Sequence, residues 1–423
     1  MRAIDVELDT QQQATTQARK RKSFAINRNF RLLWLGHTIS RFGSRATSLS
    51  FVAILVLNAN PLQIGWLEAM GALPSLLISL LAGVWIDRTR RKPVLIIADV
   101  GRAILLLTVP LAAILGTLSM LQLYVITAFV ATLTVFFEIA SQAFLPVLLQ
   151  PDDLLTGNSK LETSSEMAEI IGPALGGPLI QAITAPMTIC LDALSFIASA
   201  VCIVNIQTDE QIPEQAATQG QLLPMLSEGI QVLYRHRLLR ATIIYSLLWN
   251  FCGGAFAALY SLYIMKTSGF SPAILGLLIA AGGVGGFVGA MSAKKVVTRV
   301  GMRKTLMLST LLIGTMALLT PLASGPAVVT SGVLIAGQLI GDVGIAIYQI
   351  NEVSLRQRIV PAHLLGRANA SVQFLIGGIG PLGAIIAGAM GNALGARTVL
   401  FIGASGMLLA CMCLLLLLAG YEG

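Results

Sequence analysis

The chain has 423 residues, of which 55% are hydrophobic and only 11% charged, against about a quarter charged in an ordinary soluble domain. That excludes a soluble globular fold and places most of the chain in lipid. The formal net charge of +8 is no phosphate-binding surface, because most of the 28 Lys and Arg are sorted into the N-terminal tail and alternate loops, the pattern of loops retained on the cytoplasmic side of a membrane.

Residues 1–27 are polar, carry Arg19-Lys20-Arg21-Lys22 and lack the short apolar core of a cleaved signal. They read as a cytoplasmic tail. Six apolar segments follow, at about 30–57, 61–86, 94–116, 121–147, 161–183 and 187–206, each long enough to cross a hydrocarbon core. An even number returns the chain to the inside. A polar break at 207–239 holds Asp209, Glu210, Pro213 and Glu214, and ends in an apolar-periodic stretch with Arg235 and Arg237, which predicts an amphipathic helix on the inner interface. Six further segments lie at about 240–265, 272–293, 304–322, 327–350, 366–392 and 398–419. The predicted organisation is a tail (1–27), a six-helix bundle (28–206), a cytoplasmic linker (207–239) and a second six-helix bundle (240–423), with both termini cytoplasmic. Only Lys266 and Arg397 fall in loops on the other side.

The two halves echo each other. Pro151-Asp152-Asp153-Leu154-Leu155 returns as Pro361-Ala362-His363-Leu364-Leu365, and Gly172-Pro173-Ala174-Leu175-Gly176-Gly177 as Gly380-Pro381-Leu382-Gly383. Between the second and third segments stands Gly83-Val84-Trp85-Ile86-Asp87-Arg88-Thr89-Arg90-Arg91-Lys92, and a degenerate copy, Arg299 to Lys304, occupies the equivalent place in the second half. Gly83, Asp87, Arg88, Arg91 and Lys92 match the Gly-x-x-x-Asp-Arg-x-Gly-Arg-Arg loop of the major facilitator superfamily of secondary transporters, with Arg90 in place of the second glycine. The stretch around Pro146, the Gly172-Pro173 motif and Leu355-Arg356-Gln357-Arg358 resemble the macrolide-efflux and enterobactin-exporter branch. That resemblance implies an all-α membrane protein of twelve transmembrane helices in two pseudo-repeated six-helix bundles. It also implies a plasma-membrane efflux transporter, coupled to protons and working by alternating access on a small amphiphilic compound. Members of the branch often carry Asp after the first-segment glycine, whereas here Gly43 is followed by Ser44, so no proton site is carried over to that position.

Within the segments, a few polar positions stand out. His37, Arg41, Ser44 and Arg45 fall on one side of the first helix, and Glu162, Glu166 and Glu169 form a matching stripe on the fifth. Charged side chains at that depth face a wet cavity or a partner rather than lipid, and a fixed ion-pair network between the stripes is the structural alternative. Glu138 and Asp342 are isolated carboxylates among apolar neighbours. The superfamily places the first and fourth helices on its central cavity, so the resemblance makes Glu138 the first candidate for proton exchange, with Arg41 tuning it, and Asp342 the second. Glu68 and Asp192 sit nearer the outer face by residue count and read as solvated or capping groups. Asp87 is expected to hold a gate at the cytoplasmic end of the helices, and Gly172, Pro173, Gly176 and Gly177 to give close packing or a bend.

Other chemistries lack support in the residues. The five cysteines lie within apolar runs without metal-ligand spacing. Gly282, Gly283, Gly285, Gly286 and Gly289 sit in an apolar helix with no preceding strand, which is helix packing and not a nucleotide loop. No enzyme, cofactor, metal or nucleic-acid partner is expected; the expected partners are a small-molecule substrate, protons and the lipid bilayer, with the chain acting as a monomer. Lysophospholipid flipping and a non-transporting sensor or scaffold are the alternative functions.

Overall fold

A computed structural model describes residues 27–86, 88–208, 210 and 222–418. The N-terminal tail, Asp87 and the centre of the linker therefore lie outside the described residues. The described chain is helical, with no strand: α1 (Arg28–Ala46), α2 (Leu49–Leu55), α3 (Pro61–Ile86), α4 (Arg91–Ile114), α5 (Met120–Leu148), α6 (Leu154–Ile183) and α7 (Ala185–Val204) precede the linker helix α8 (Leu222–Arg235). Beyond it come α9 (Arg237–Leu262), which runs into a π-helical turn (Tyr263–Thr267), then α10 (Pro272–Val300), α11 (Met302–Leu322), α12 (Ala327–Ile359), α13 (Ala362–Leu394) and α14 (Ala396–Leu418).

Ten of these helices are long and apolar enough to cross a membrane. Outside that set, besides the linker helix α8, are the first and fifth expected crossings, the two that carry the charged stripes. α6 is long enough but dense in glutamate, and the first crossing is broken. Sequence reading expects one segment over 30–57; instead Thr47 and Ser48 adopt extended backbone between α1 and α2. Their hydroxyls compete with the helical hydrogen bonds: Thr47 Oγ1 donates back to Gly43 O, and Ser48 Oγ accepts from Ser50 N to restart the helix. Elsewhere the ends follow ordinary capping, with Asn27, Ser119 and Ser271 side chains accepting from the first turns of α1, α5 and α10.

Packing partners are specific. α1 lies on α6 and α7, α3 on α5, and α4 on α5 and α7; after the linker, α9 lies on α13 and α14, α10 on α12, and α11 on α12 and α14. The two sets meet where α3 packs on α13 and α6 on α10. Call the end holding residues 27–29, 88–92 and 206–210 the tail end and its opposite the far end. The contacts between sets that involve Pro61 and Pro272, the first residues of α3 and α10, lie at the far end. Only glycine fits there: a Cβ on Gly388 would lie 2.7 Å from Pro61 O, and one on Gly177 2.9 Å from Ala273 Cα. One apolar core, from Ile64 and Ile189 to Leu259 and Leu400, spans both sets at this end. Toward the tail end each set has its own core, around Phe30 and Phe144 in the first and around Tyr245 and Leu414 in the second.

Candidate functional site

The first set concentrates paired charge. Arg41 on α1 donates from Nη2 to Glu138 Oε1 on α5 at 2.7 Å, so the first candidate for proton exchange and the charge expected to tune it are in direct contact. One turn on, Arg45 pairs with Glu169 of α6, joining the predicted stripes at a single point. Glu162 and Glu166 are exposed and make no ion pair among the described residues. Glu162 does share with His37, Arg41 and Glu138 the lining of a cavity of about 410 Å³ toward the tail end. Glu138 is therefore not the isolated carboxylate its apolar sequence neighbours suggest.

Deeper in the same set lies a pair that sequence reading passed over. Asp99 and Arg102 bond at 2.5 Å, both buried on α4, and the guanidinium lies 4.5 Å and 4.1 Å from the ring centroids of Phe137 and Phe196. His37 is buried and stacks with Phe137, with ring centroids 6.2 Å apart. Asp192, expected near water, is only 5% exposed. It accepts from Ser44 Oγ and Thr47 Oγ1 at 3.1 Å each, at the α1–α2 break. Its burial was missed because the break in the first crossing brings Ser44 and Thr47 onto it, a contact that counting residues does not reveal. A second cavity, about 330 Å³, touches Arg41, Arg45, Arg102, Glu138 and Asp192 together.

The central cavity has a different character. It measures about 430 Å³ and is lined by α3, α9, α11, α12, α13 and α14. Among the described residues, Glu68 and Asp342 are the only ionisable ones in its lining. Glu68 accepts from Ser50 Oγ at 2.8 Å and Asp342 from Gln338 Nε2 at 3.1 Å; neither carboxylate makes an ion pair among the described residues. Glu68, like Asp192, is thus not the outer-face solvated group read from its position. The glycine run of α10 serves packing as expected, for Gly285 and Gly289 face the backbone of α12 at Leu339 and Val343, and Gly282 faces the Asp342 carboxylate.

Two predicted motifs frame these cavities. Gly172 and Gly176 let α6 touch the last turn of α1: a Cβ on Gly172 would come within 2.5 Å of Arg45 Cβ, and one on Gly176 would run into Ala46 backbone. Gly177 and the Pro173 carbonyl meet α10. In the loop 83–92, Gly83 has open space around it and Arg88 is exposed. Arg91 and Lys92 open α4, and their backbone N–H groups donate to the Glu210 carboxylate at 2.7 and 3.1 Å. Lys92 Nζ in turn caps α7 through Val204 O and Ile206 O at 2.9 and 2.7 Å. An acid at a helix N-terminus was expected of Asp87; among the described residues Glu210 from the linker holds such a position. Its signal in the sequence was the acidic pair Asp209-Glu210 just past the sixth segment.

The model of the Major Facilitator Superfamily matches residues 33–384. The chain belongs to this family. It is a multi-pass membrane transporter, and not an enzyme. It is 26% identical to the multidrug efflux pump Tap of Mycolicibacterium fortuitum, over 81% of this chain and 84% of that one. Among solved structures it resembles the nucleoside transporter NupG, as a D323A mutant, with a TM-score of 0.76 at 14% identity over 92% of this chain and 99% of that one. A bacterial homologue of the iron transporter ferroportin matches with a TM-score of 0.67 in its inward-facing state (21% identity, 93% and 99% covered) and 0.51 in its outward-facing state (19%, 92% and 99%). At these identities the structural likeness concerns the fold.

Proposed function

We propose that this transporter is a proton-coupled exporter of small amphiphilic compounds that works as a monomer in the plasma membrane by alternating access between two six-helix halves. Counting α1 with α2 as one broken crossing and α6 as another adds two to the ten apolar helices and makes twelve. The order of packing supports the repeat: in each half the first helix lies on the fifth and sixth, the second on the fourth, and the third on the fourth and sixth. The contacts between halves pair the second helix of each with the fifth of the other. Gly383 of α13 meets Phe251 backbone on α9 as Gly176 of α6 meets Ala46 on α1.

The far-end contacts and shared core, and the higher similarity to the inward-facing ferroportin homologue, fit a state open toward the tail end, which the basic loops make the cytoplasm. Single cysteines at Lys266 and Arg397, both exposed, are expected to react with an impermeant reagent in intact cells, and one at Thr89 to stay unlabelled. Efflux as the direction rests on the relationship to Tap. A non-transporting sensor has nothing in its favour once the family is known, and no feature of the cavities singles out lipid flipping.

The observation that carries proton coupling is the Arg41–Glu138 pair, at the junction of two cavities. A carboxylate that loses its charge to a proton no longer holds the guanidinium, and Arg41 is then free to turn away, loosening α1 from α5. Asp342 remains the second candidate. In the cycle we assign rocking to the glycine contacts of α6 with α1 and α10, and the cytoplasmic latch to Asp87 with Arg88, Arg91 and Lys92, held by Glu210. The test is purified protein in proteoliposomes loaded with a fluorescent drug: an imposed pH gradient should drive uphill movement, and transport indifferent to that gradient would remove the proton from the scheme.

A further inference from the structure

Each of the three arginines that line the two cavities of the first half faces an acid. Arg41 has Glu138, Arg45 has Glu169 and Arg102 has Asp99. The central cavity reverses this: two carboxylates, on α3 and α12, border one space with no cationic residue in its lining. A carboxylate in a low-dielectric site is costly without a positive partner, and two facing one space repel each other and any anion that enters. The rest of the wall is mainly apolar, with Phe256, Met316, Ile345 and Met407 beside the neutral polar side chains of Asn250, Thr320 and Gln338, and the cavity volume falls within the range of about 300–1,000 Å³ usual for drug-sized ligands. Trp249 stands on the same wall, and an aromatic ring is a favourable neighbour for a cation.

We infer that the central cavity is a binding site for hydrophobic organic cations, whose positive charge completes Glu68 and Asp342 while the apolar body fills the wall. The inference takes its cargo from the transport reading above, but it concerns equilibrium binding and needs neither a gradient nor a direction. It separates classes that amphiphilicity alone leaves together, since an acidic amphiphile such as a catecholate siderophore would place its charge against two carboxylates.

The test uses matched probes with purified full-length protein in nanodiscs, with empty nanodiscs subtracted for lipid partitioning. Tetraphenylphosphonium and tetraphenylborate share size and shape and differ in the sign of a permanent charge, and triphenylphosphine oxide supplies a neutral relative. Saturable binding of tetraphenylphosphonium, with none of tetraphenylborate, is expected. Asp342→Asn and Glu68→Gln should each weaken the cation by about tenfold, as loss of a charge-assisted contact does, and shift the neutral compound by less than about twofold; an unchanged melting temperature shows that the variants are folded. Tetraphenylborate binding as tightly as the cation would overturn the inference, and so would equal cation affinity in wild type and both variants. Binding of the cation by a protein that never moves it would leave this inference standing and defeat the export reading instead.

Discussion

The first half and the central cavity use charge in opposite ways. In the first half, carboxylates on α4, α5 and α6 meet arginines, and Asp192 meets two hydroxyls at the break in the first crossing. In the central cavity, Glu68 and Asp342 have one neutral donor each. A fixed pair can hold helices in place or be switched by a proton, because its partner is always present. An acid without a basic partner is complete only when something from outside arrives. In the scheme we propose, the two regions divide the labour of coupled transport: the first half keeps the ion-sensitive joint, and the cavity that α3 shares with the second half receives the cargo.

The contrast is broken most severely by removing half of a buried pair. Arg102→Leu leaves Asp99, which is fully buried, without its counter-ion, and a loss of about 3–5 kcal/mol is expected, read as a large fall in melting temperature and in membrane yield. Replacing both residues by leucine should recover most of that loss, since the pair is neutral as a unit; a double variant as unstable as the single one would mean that the aromatic contacts of Arg102 matter more than its charge. Next in size is Gly176→Leu, whose side chain must displace α1 backbone at Ala46; overpacking of about 1–3 kcal/mol is expected, together with slowed exchange between inward and outward accessibility. Wild-type turnover in that variant would remove α6 from the moving parts. The smallest effect is expected from Glu210→Gln, which keeps one acceptor oxygen near the α4 N-terminus, turns an NH2 toward the other backbone N–H and loses the charge, the charge being worth about 0.3–1 kcal/mol at a helix end. A modest gain in cytoplasmic accessibility of a cysteine at Thr89 is the readout, and Asp87→Asn should add to it if both acids latch the same loop.

Much of this was legible in the residues. Ten of the crossings, the amphipathic linker helix at Leu222–Arg235 and the glycine seams follow from apolar length and periodicity, which lipid enforces strictly. Arg41 and Glu138 could be named because charges inside a crossing are rare. What failed were solvation and partnership. Glu68 and Asp192 were placed nearer the outer face by counting residues and read as solvated or capping groups, but what covers them is decided by the break at Thr47–Ser48 and the rotation of each helix, which tertiary packing sets. Asp99 and Arg102 are three residues apart and could have been paired on spacing alone; that Phe137 and Phe196 enclose the guanidinium could not. Glu210 lies 119 residues from Arg91, and no local pattern connects a linker acid to a helix start at that separation.

The division between a proton-switched joint and a cargo site is tested most directly by Glu138→Gln in proteoliposomes, with the same fluorescent drug assayed for downhill exchange and for uphill movement under an imposed pH gradient. Glutamine keeps the size of the side chain and a neutral acceptor for Arg41, so it stands in for the protonated acid. Downhill exchange and equilibrium drug binding should stay within about twofold of wild type while gradient-driven accumulation disappears. Full uphill accumulation by Glu138→Gln, at normal expression, would contradict this and move the proton to Asp342.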